Sequence, residues 1–259
     1  MAAGSGEAEG VLDQLKRTVP FVASLAAGLL LWEIVGRHSS PAFLVPLSAT
    51  LERLWQLLLG GTLIPQTLDS AGLFLTGLVL SIAVGMPAGL LLARMPTLRV
   101  ALEPYIMVLY ATPMVALIPF ILSLMGFGFV PKVLVVFLFG VFPVLYNTVE
   151  GARSIKPEMI EVARSFRSGE WALWREIMVP YTLPFTMTGI RLAIGRCLVG
   201  MVAAEFFLSS NGLGQLIMSA SQNFDTGGLF AAILIICVAG VGLMRLGRTL
   251  EHHFARWRN

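Results

Sequence analysis

Six long apolar runs, separated by short polar stretches, make up most of the chain. They cover about Thr18–Val35, Thr67–Ala93, Pro104–Met125, Val130–Val149, Tyr181–Leu208 and Leu229–Leu246. A helix needs about 20 mostly apolar residues to cross the hydrocarbon core of a bilayer. The pattern therefore predicts six transmembrane helices and an all-α membrane protein. Gly85, Pro87 and Gly89 interrupt the second run, and Pro184, Gly189 and Gly195 the fifth. Membrane helices tolerate such residues because neighbouring helices re-satisfy the freed backbone groups. The first run could be a signal peptide, but Trp32 and Glu33 stand where a small-residue cleavage site would be sought. It is read as a retained helix.

The polar stretches differ from one another. The first fifteen residues are small and polar and are expected to be disordered. "PLSATLERLWQLLLGG" is too short and too polar to span, yet Leu47, Leu51, Leu54, Trp55 and Leu58 share a face at helical spacing. It is expected to lie at the outer interface as an amphipathic helix. The segment "EGARSIKPEMIEVARSFRSGEWALWREIMVPYTLP" is dense in charge between two apolar runs. Pro157 can open a helix there, with Glu158 near its positive end. Ile160, Ala163 and Phe166 then share one face, Gly169 breaks the helix, and a second short helix carries Trp171, Trp174 and Ile177 on one side until Pro180 ends it. Two such short helices are not stable alone in water and need a surface to pack on. The solvated alternative is a loop resting on the membrane surface.

Composition supports the membrane reading. The mean hydropathy is +0.81, and 13% of residues are charged against about 25% in soluble domains. The distribution of positive charge also orients the chain. With the N-terminus inside, thirteen of the 18 Lys and Arg residues fall on inner segments and only Arg37, Arg53 and Lys132 on outer ones. By the positive-inside rule both termini face the cytoplasm. The domains that follow are a tail at 1–17, a transmembrane domain at 18–250 with the charged loop at about 150–180, and a tail at 251–259.

The charged loop resembles the cytoplasmic loop of permease subunits in binding-protein-dependent ABC importers. That family's pattern is Glu-Ala-Ala, then Gly, then Ile-x-Leu-Pro at fixed distance. Glu161 and Ala163 match its first part, and Ile177 and Pro180 its last. Val162, Val179 and Arg167 depart from it. Arg167 stands where the family usually has Gly, and Gly169 follows two residues later. The stretches "ATPMVALIPFILSLMGFGFVPKVLVVFLFGVFPVLYNTVEGARSI" and "GIRLAIGRCLVGMVAAEFFLSSNGLGQLIMSASQNFDTGGLFAAIL" are similar to the nitrate/sulfonate/taurine branch, and the resemblance spans about Pro20–Leu246.

The resemblance implies a type I ABC importer permease fold in a bacterial inner membrane. It implies a second permease copy, two ATPase subunits carrying ATP and Mg, and an external or periplasmic substrate-binding protein. It makes the chain a transporter subunit and not an enzyme, with no cofactor of its own. The solute would be a small organic or inorganic anion. The ATPase-coupling residues would be Glu161, Ala163, Phe166, Arg167, Gly169, Trp171, Trp174, Ile177 and Pro180. Asn211 and Gly212, in the turn of "SSNGLGQLI", would lie near the binding-protein dock. The alternative is an ion-coupled secondary transporter, which needs only this chain.

Other residues bear on the solute pathway. Glu205 is an acid inside the fifth run, a functional candidate by default. It either holds the bundle together, gates it, or meets substrate. Arg196 is nine residues away, about 13.5 Å along a helix, so the two do not pair within one helix. Pro113, Met114 and Pro119 point to a kinked or broken third span, which either lines a cavity or only packs. Cys197 and Cys237 lie in apolar runs without metal-ligand spacing, and His38, His252 and His253 fall in loops or the tail. No Gly-x-x-x-x-Gly-Lys-Ser/Thr, Gly-x-Ser-x-Gly or His-Glu-x-x-His run occurs, which excludes the usual ATP-binding, serine-hydrolase and zinc-protease chemistries. Nothing points to nucleic acid, and the remaining partner is membrane lipid.

Overall fold

The computed structural model describes residues 4–208 and 210–255, with side chains over 19–208, 210–249 and 251. Every described element is a helix. Four are long and apolar enough to cross a membrane: Val19–His38, Leu63–Arg94, Phe129–Arg153 and Thr226–Thr249. Counting each of two bent helix pairs as one span gives six. We label the helices α1 (Gly4–His38), α2 (Leu47–Leu59), α3 (Leu63–Arg94), α4 (Pro96–Ala111), α5 (Ile118–Met125) and α6 (Phe129–Arg153). There follow α7 (Pro157–Ser165), α8 (Glu170–Ala172), α9 (Val179–Leu208), α10 (Leu213–Gln222) and α11 (Thr226–Ala255).

The core is a three-helix stack of α3, α6 and α9. Leu73, Val136, Val144, Ala193, Cys197 and Ala204 are buried within it. In a bilayer, helix association rests on close packing and interhelical hydrogen bonds, so small residues mark the contacts. On α3, Gly77, Ser81, Gly85 and Gly89 recur every fourth residue. A Cβ at Gly77 would stand 2.4 Å from the Val136 side chain, and one at Gly89 2.8 Å from the Leu145 carbonyl. Ser81 donates across to the Phe137 carbonyl (3.1 Å), and Thr148 meets Thr186 at 3.0 Å between α6 and α9. Helices α1 and α11 ride outside this stack, with 6% and 11% of their apolar windows buried.

The third span is broken, one of the two forms its prolines pointed to: α4 and the stretch Met114–Met125 meet at 91°. Pro113 has no N–H to donate and takes an extended conformation (φ −67°, ψ 94°), which ends α4 at Thr112. Pro119 sits in the first turn of α5, where it bends nothing. Two other elements differ from the sequence-based expectations. At the other end of the chain's charged loop, Pro180 does not end the second short helix. From Glu170 to Leu208 the backbone is helical without a break, passing through a π-helical stretch at Leu173–Met178 and across Pro180 and Pro184. Lastly, α1 begins at Gly4, over residues expected to be disordered. Ala8, Leu12, Gln14, Leu15 and Lys16 there are strong helix formers continuous with the span.

The amphipathic helix expected between the first two spans is present as α2. It is exposed along Leu51, Trp55, Leu58 and Leu59 and is tied to its neighbours by polar contacts. Glu33 of α1 accepts from the backbone and hydroxyl of Ser48 (both 2.9 Å), and Arg53 grips Asp225 through Nε (3.0 Å) and Nη2 (2.7 Å).

Candidate functional site

The charged loop is built around one turn. Helix α7 opens on Pro157 and closes at Ser165. Ser168 N–H then reaches back to the Ala163 carbonyl (3.1 Å), and Arg167 N–H to that of Arg164 (2.8 Å). These paired bonds are a Schellman termination, which requires a left-handed residue at its centre. That residue is Arg167, with φ 54°. Gly169 is instead extended (φ −68°, ψ 161°) and precedes α8. Position 167 therefore has a conformation that favours glycine, and the break expected at Gly169 lies two residues earlier.

The loop's aromatic residues divide into two sets. Phe166 and Trp171 are 82% and 78% exposed, and Met159 and Val162 of α7 are exposed as well. Trp174 and Ile177, expected on the side of Trp171, turn inward and pack with Ala152, Ile155 and Met178 at the ends of α6 and α9. The π turn, with bonds from i to i+5, advances each residue by less than an α turn and swings them off the Trp171 face. Ala163 is half-buried and Glu161 exposed. Glu170, in the first turn of α8, accepts from Arg94 at the end of α3 and lies 3.7 Å from Arg164. Tyr181 Oη donates to the Ser154 carbonyl (3.2 Å). The exposed pair is thus presented on a braced platform.

At the opposite end of α9, Glu205 is 1% exposed. Its Oε1 accepts from Ser70 Oγ and its Oε2 from Gly214 N–H, both at 2.7 Å. Ser70 Oγ in turn accepts from Leu213 N–H (2.8 Å), and Gly212 N–H donates to Gln66 Oε1. The acid therefore caps the N-terminus of α10, whose first N–H groups have no partner within the helix and which favours negative charge. A Cβ on Gly212 would stand 2.2 Å from Glu205 Oε1, and one on Gly214 2.7 Å from Glu205 Cβ. Both glycines are needed for the carboxylate to come so close. Its contacts join α9 to α3 and α10, and they are with partners other than Arg196.

Helix α10 ends in a second left-handed residue, Phe224 (φ 56°). Asp225 follows as the cap of α11, accepting from Gly228 N–H (2.9 Å) while holding Arg53. Burial would raise the Asp225 carboxyl. The hydrogen bonds from Arg53 and Gly228, with the Arg53 charge, outweigh it and hold the group below its ordinary range.

The break after α4 opens a cleft of about 160 Å³ lined by Tyr110, Thr112, Met114, Leu138, Arg196 and Val199 among others. Met114 is among its lining residues, whereas Pro113 and Pro119 are not. Arg196, weighed in the sequence only as a partner for Glu205, stands over the ring of Tyr110 at 4.5 Å. Eighty-six positions separate the two residues, so no spacing rule brings them together.

Residues 85–256 match the family described as the binding-protein-dependent transport system inner membrane component. The chain belongs to this family. It is a permease subunit of the ABC importer class and not an enzyme. The permease is 35% identical to a riboflavin transport system permease protein of Chloroflexus aurantiacus over 88% of this chain and 86% of that one. It is 28% identical to the taurine transport system permease protein of Escherichia coli over 91% and 88%. A formylaminopyrimidine transport permease protein of Halalkalibacterium halodurans is also 28% identical, over 89% and 92%. In fold, the permease superposes on a chain of the inward-facing MetNI methionine ABC transporter with a TM-score of 0.65 at 13% identity, covering 74% of this chain and 96% of that one. The type I importer fold expected from the loop motif is therefore present. Ion-coupled secondary transport has no support in these relatives.

Proposed function

We propose that two copies of this permease form the membrane path of an ATP-driven importer in a bacterial plasma membrane. The charged loop lies on the cytoplasmic side with both termini, as the distribution of Lys and Arg favours. Two ATPase subunits carrying ATP and Mg bind there, and an external binding protein delivers a small organic or inorganic anion to the opposite face. Lipid surrounds α1 and α11.

The observation that carries this reading is the braced loop. Phe166 and Trp171 are large aromatic side chains exposed on a rigid polar platform, and such patches mark sites of protein contact. The turn at Arg167 and Gly169 sets their spacing, Glu161 and Ala163 sit on the preceding helix, and Trp174, Ile177 and Pro180 connect the platform to α9. ATPase closure would move Phe166 and Trp171, and the unbroken helix would carry that movement across the membrane to the Glu205 cap. On the far face Asn211 is exposed beside the buried Gly212, which suits the binding-protein dock.

Glu161→Lys tests the coupling role, because its exposed position touches the docking rim and no core contact. ATP-dependent uptake by the complete transporter should fall at least tenfold, about 1.4 kcal/mol of coupling, while the thermal midpoint of the permease stays unchanged. Unaltered uptake would remove Glu161, and the loop face around it, from coupling.

A further inference from the structure

Arg196 takes part in none of the ion pairs or helix caps described above. Arg196 lies about 4 Å from the midpoint of α9, two and a half residues at 1.5 Å each, and so close to mid-membrane. It is exposed, and its guanidinium makes no hydrogen bond or ion pair among the described residues. The acids that do pair are engaged elsewhere: Glu33 with Arg37, Asp225 with Arg53, Glu170 with Arg94, Glu150 with Arg153 and Glu251 with Arg191. Arg196 is held by Tyr110, whose ring stacks on Tyr146 with centroids 6.1 Å apart and planes 7° from parallel. The face of the guanidinium is covered by an aromatic ring and its N–H edge is left for another partner.

A charged side chain at this depth is costly, and such residues face cavities and mark solute paths. Here the cavity is the cleft at the α4 break, where Thr112 and Met114 replace regular helix and Val199 flanks the arginine. The relatives are named for riboflavin, taurine and formylaminopyrimidine, solutes of different charge and shape. We propose that this cleft is a binding station on the solute path for a small oxyanion. Arg196 donates two of its N–H groups to the oxyanion's oxygens, and Tyr110 fixes the guanidinium plane. Sulfonate, carboxylate and nitrate groups share the required geometry of two acceptor oxygens in one plane. The inference rests on the importer reading but is tested apart from it.

The test is charge-selective labelling of Val199→Cys in membranes holding the complete transporter. Exposed Cys237 is replaced by Ser, and buried Cys197 is left in place. Rates are measured with anionic 2-sulfonatoethyl methanethiosulfonate and cationic 2-(trimethylammonium)ethyl methanethiosulfonate, with and without nucleotide. The anionic reagent should react faster, and Arg196→Gln should lower the anionic-to-cationic ratio by about tenfold, the effect of removing one nearby charge. Arg196→Lys should keep the preference, and millimolar methanesulfonate should slow labelling only where a cation is present. A cysteine unreactive to both reagents in every nucleotide state would show that the cleft is off the aqueous path. A ratio indifferent to Arg196→Gln would show that Arg196 selects nothing. Either result overturns the station, while loss of coupling in Glu161→Lys would still uphold the importer.

Discussion

Replacing Arg167 by glycine should strengthen the loop rather than weaken it. The position is left-handed at φ 54°, and Arg167 makes no side-chain hydrogen bond or ion pair among the described residues. A residue with a Cβ in that region costs about 1–2 kcal/mol. Glycine avoids this cost but loses about 0.5–1 kcal/mol more conformational entropy on folding. The net gain should be about 0.5–1 kcal/mol, or roughly two- to fivefold in the closed population of the turn. Hydrogen exchange reads it directly, because the amides of Phe166, Arg167 and Ser168 are bonded to the carbonyls of Val162, Arg164 and Ala163. Their protection should rise by that factor in Arg167→Gly and stay level or fall in Arg167→Ala, which keeps the Cβ. Both variants lack the guanidinium, so any contact it makes with an ATPase carboxylate would be lost equally from the two. Equal protection in the glycine and alanine variants would refute the claim that backbone conformation selects glycine here.

Two further outcomes follow from the far end of the bundle. Glu205→Gln should lower stability by about 1–3 kcal/mol, since the carboxamide presents an N–H to a site built of donors from Ser70 and Gly214; uptake should fall while the ATPase stays bound, and wild-type stability with wild-type uptake would remove the cap from any role. Asp225→Asn should cost about 1 kcal/mol through the loosened Arg53 pair. The Asp225 carboxyl is held below its ordinary value, so its contribution is present above the usual carboxylate range and is lost as pH falls through the lowered pKa. Thermal midpoints of the two proteins should therefore differ at pH 7 and converge in strong acid, and a gap independent of pH would exclude the charge.

Much of this was legible in the sequence because lipid imposes long apolar runs and short charged loops. The runs gave the spans, and Glu161, Ala163, Ile177 and Pro180 gave the family. Pro113 also carried its own signal, and the third span is broken there by 91°. Contacts between distant residues were not legible. Glu205 is an acid in an apolar run on paper, and only the fold shows the N–H groups of α10 arriving at it. The small residues at 77, 81, 85 and 89 were a visible signal of close packing against α6. Arg196 and Tyr110 carried none. At Trp174 the expectation failed because it assumed 3.6 residues per turn where the helix is of the π type.

The π-helical stretch has a further consequence for how such chains can vary. Along an unbroken helix, adding or removing one residue rotates everything on one side by about 100° and shifts it 1.5 Å relative to the other. Within Leu173–Met178 such a change would turn Trp171 and Phe166 to a new compass bearing while the packing of α9 against α3 and α6 stayed as it is. The number of residues in this stretch, more than their identity, then sets which face of the loop meets its partner. Substitutions at exposed Arg175 and Glu176 should be tolerated where a single deletion is not.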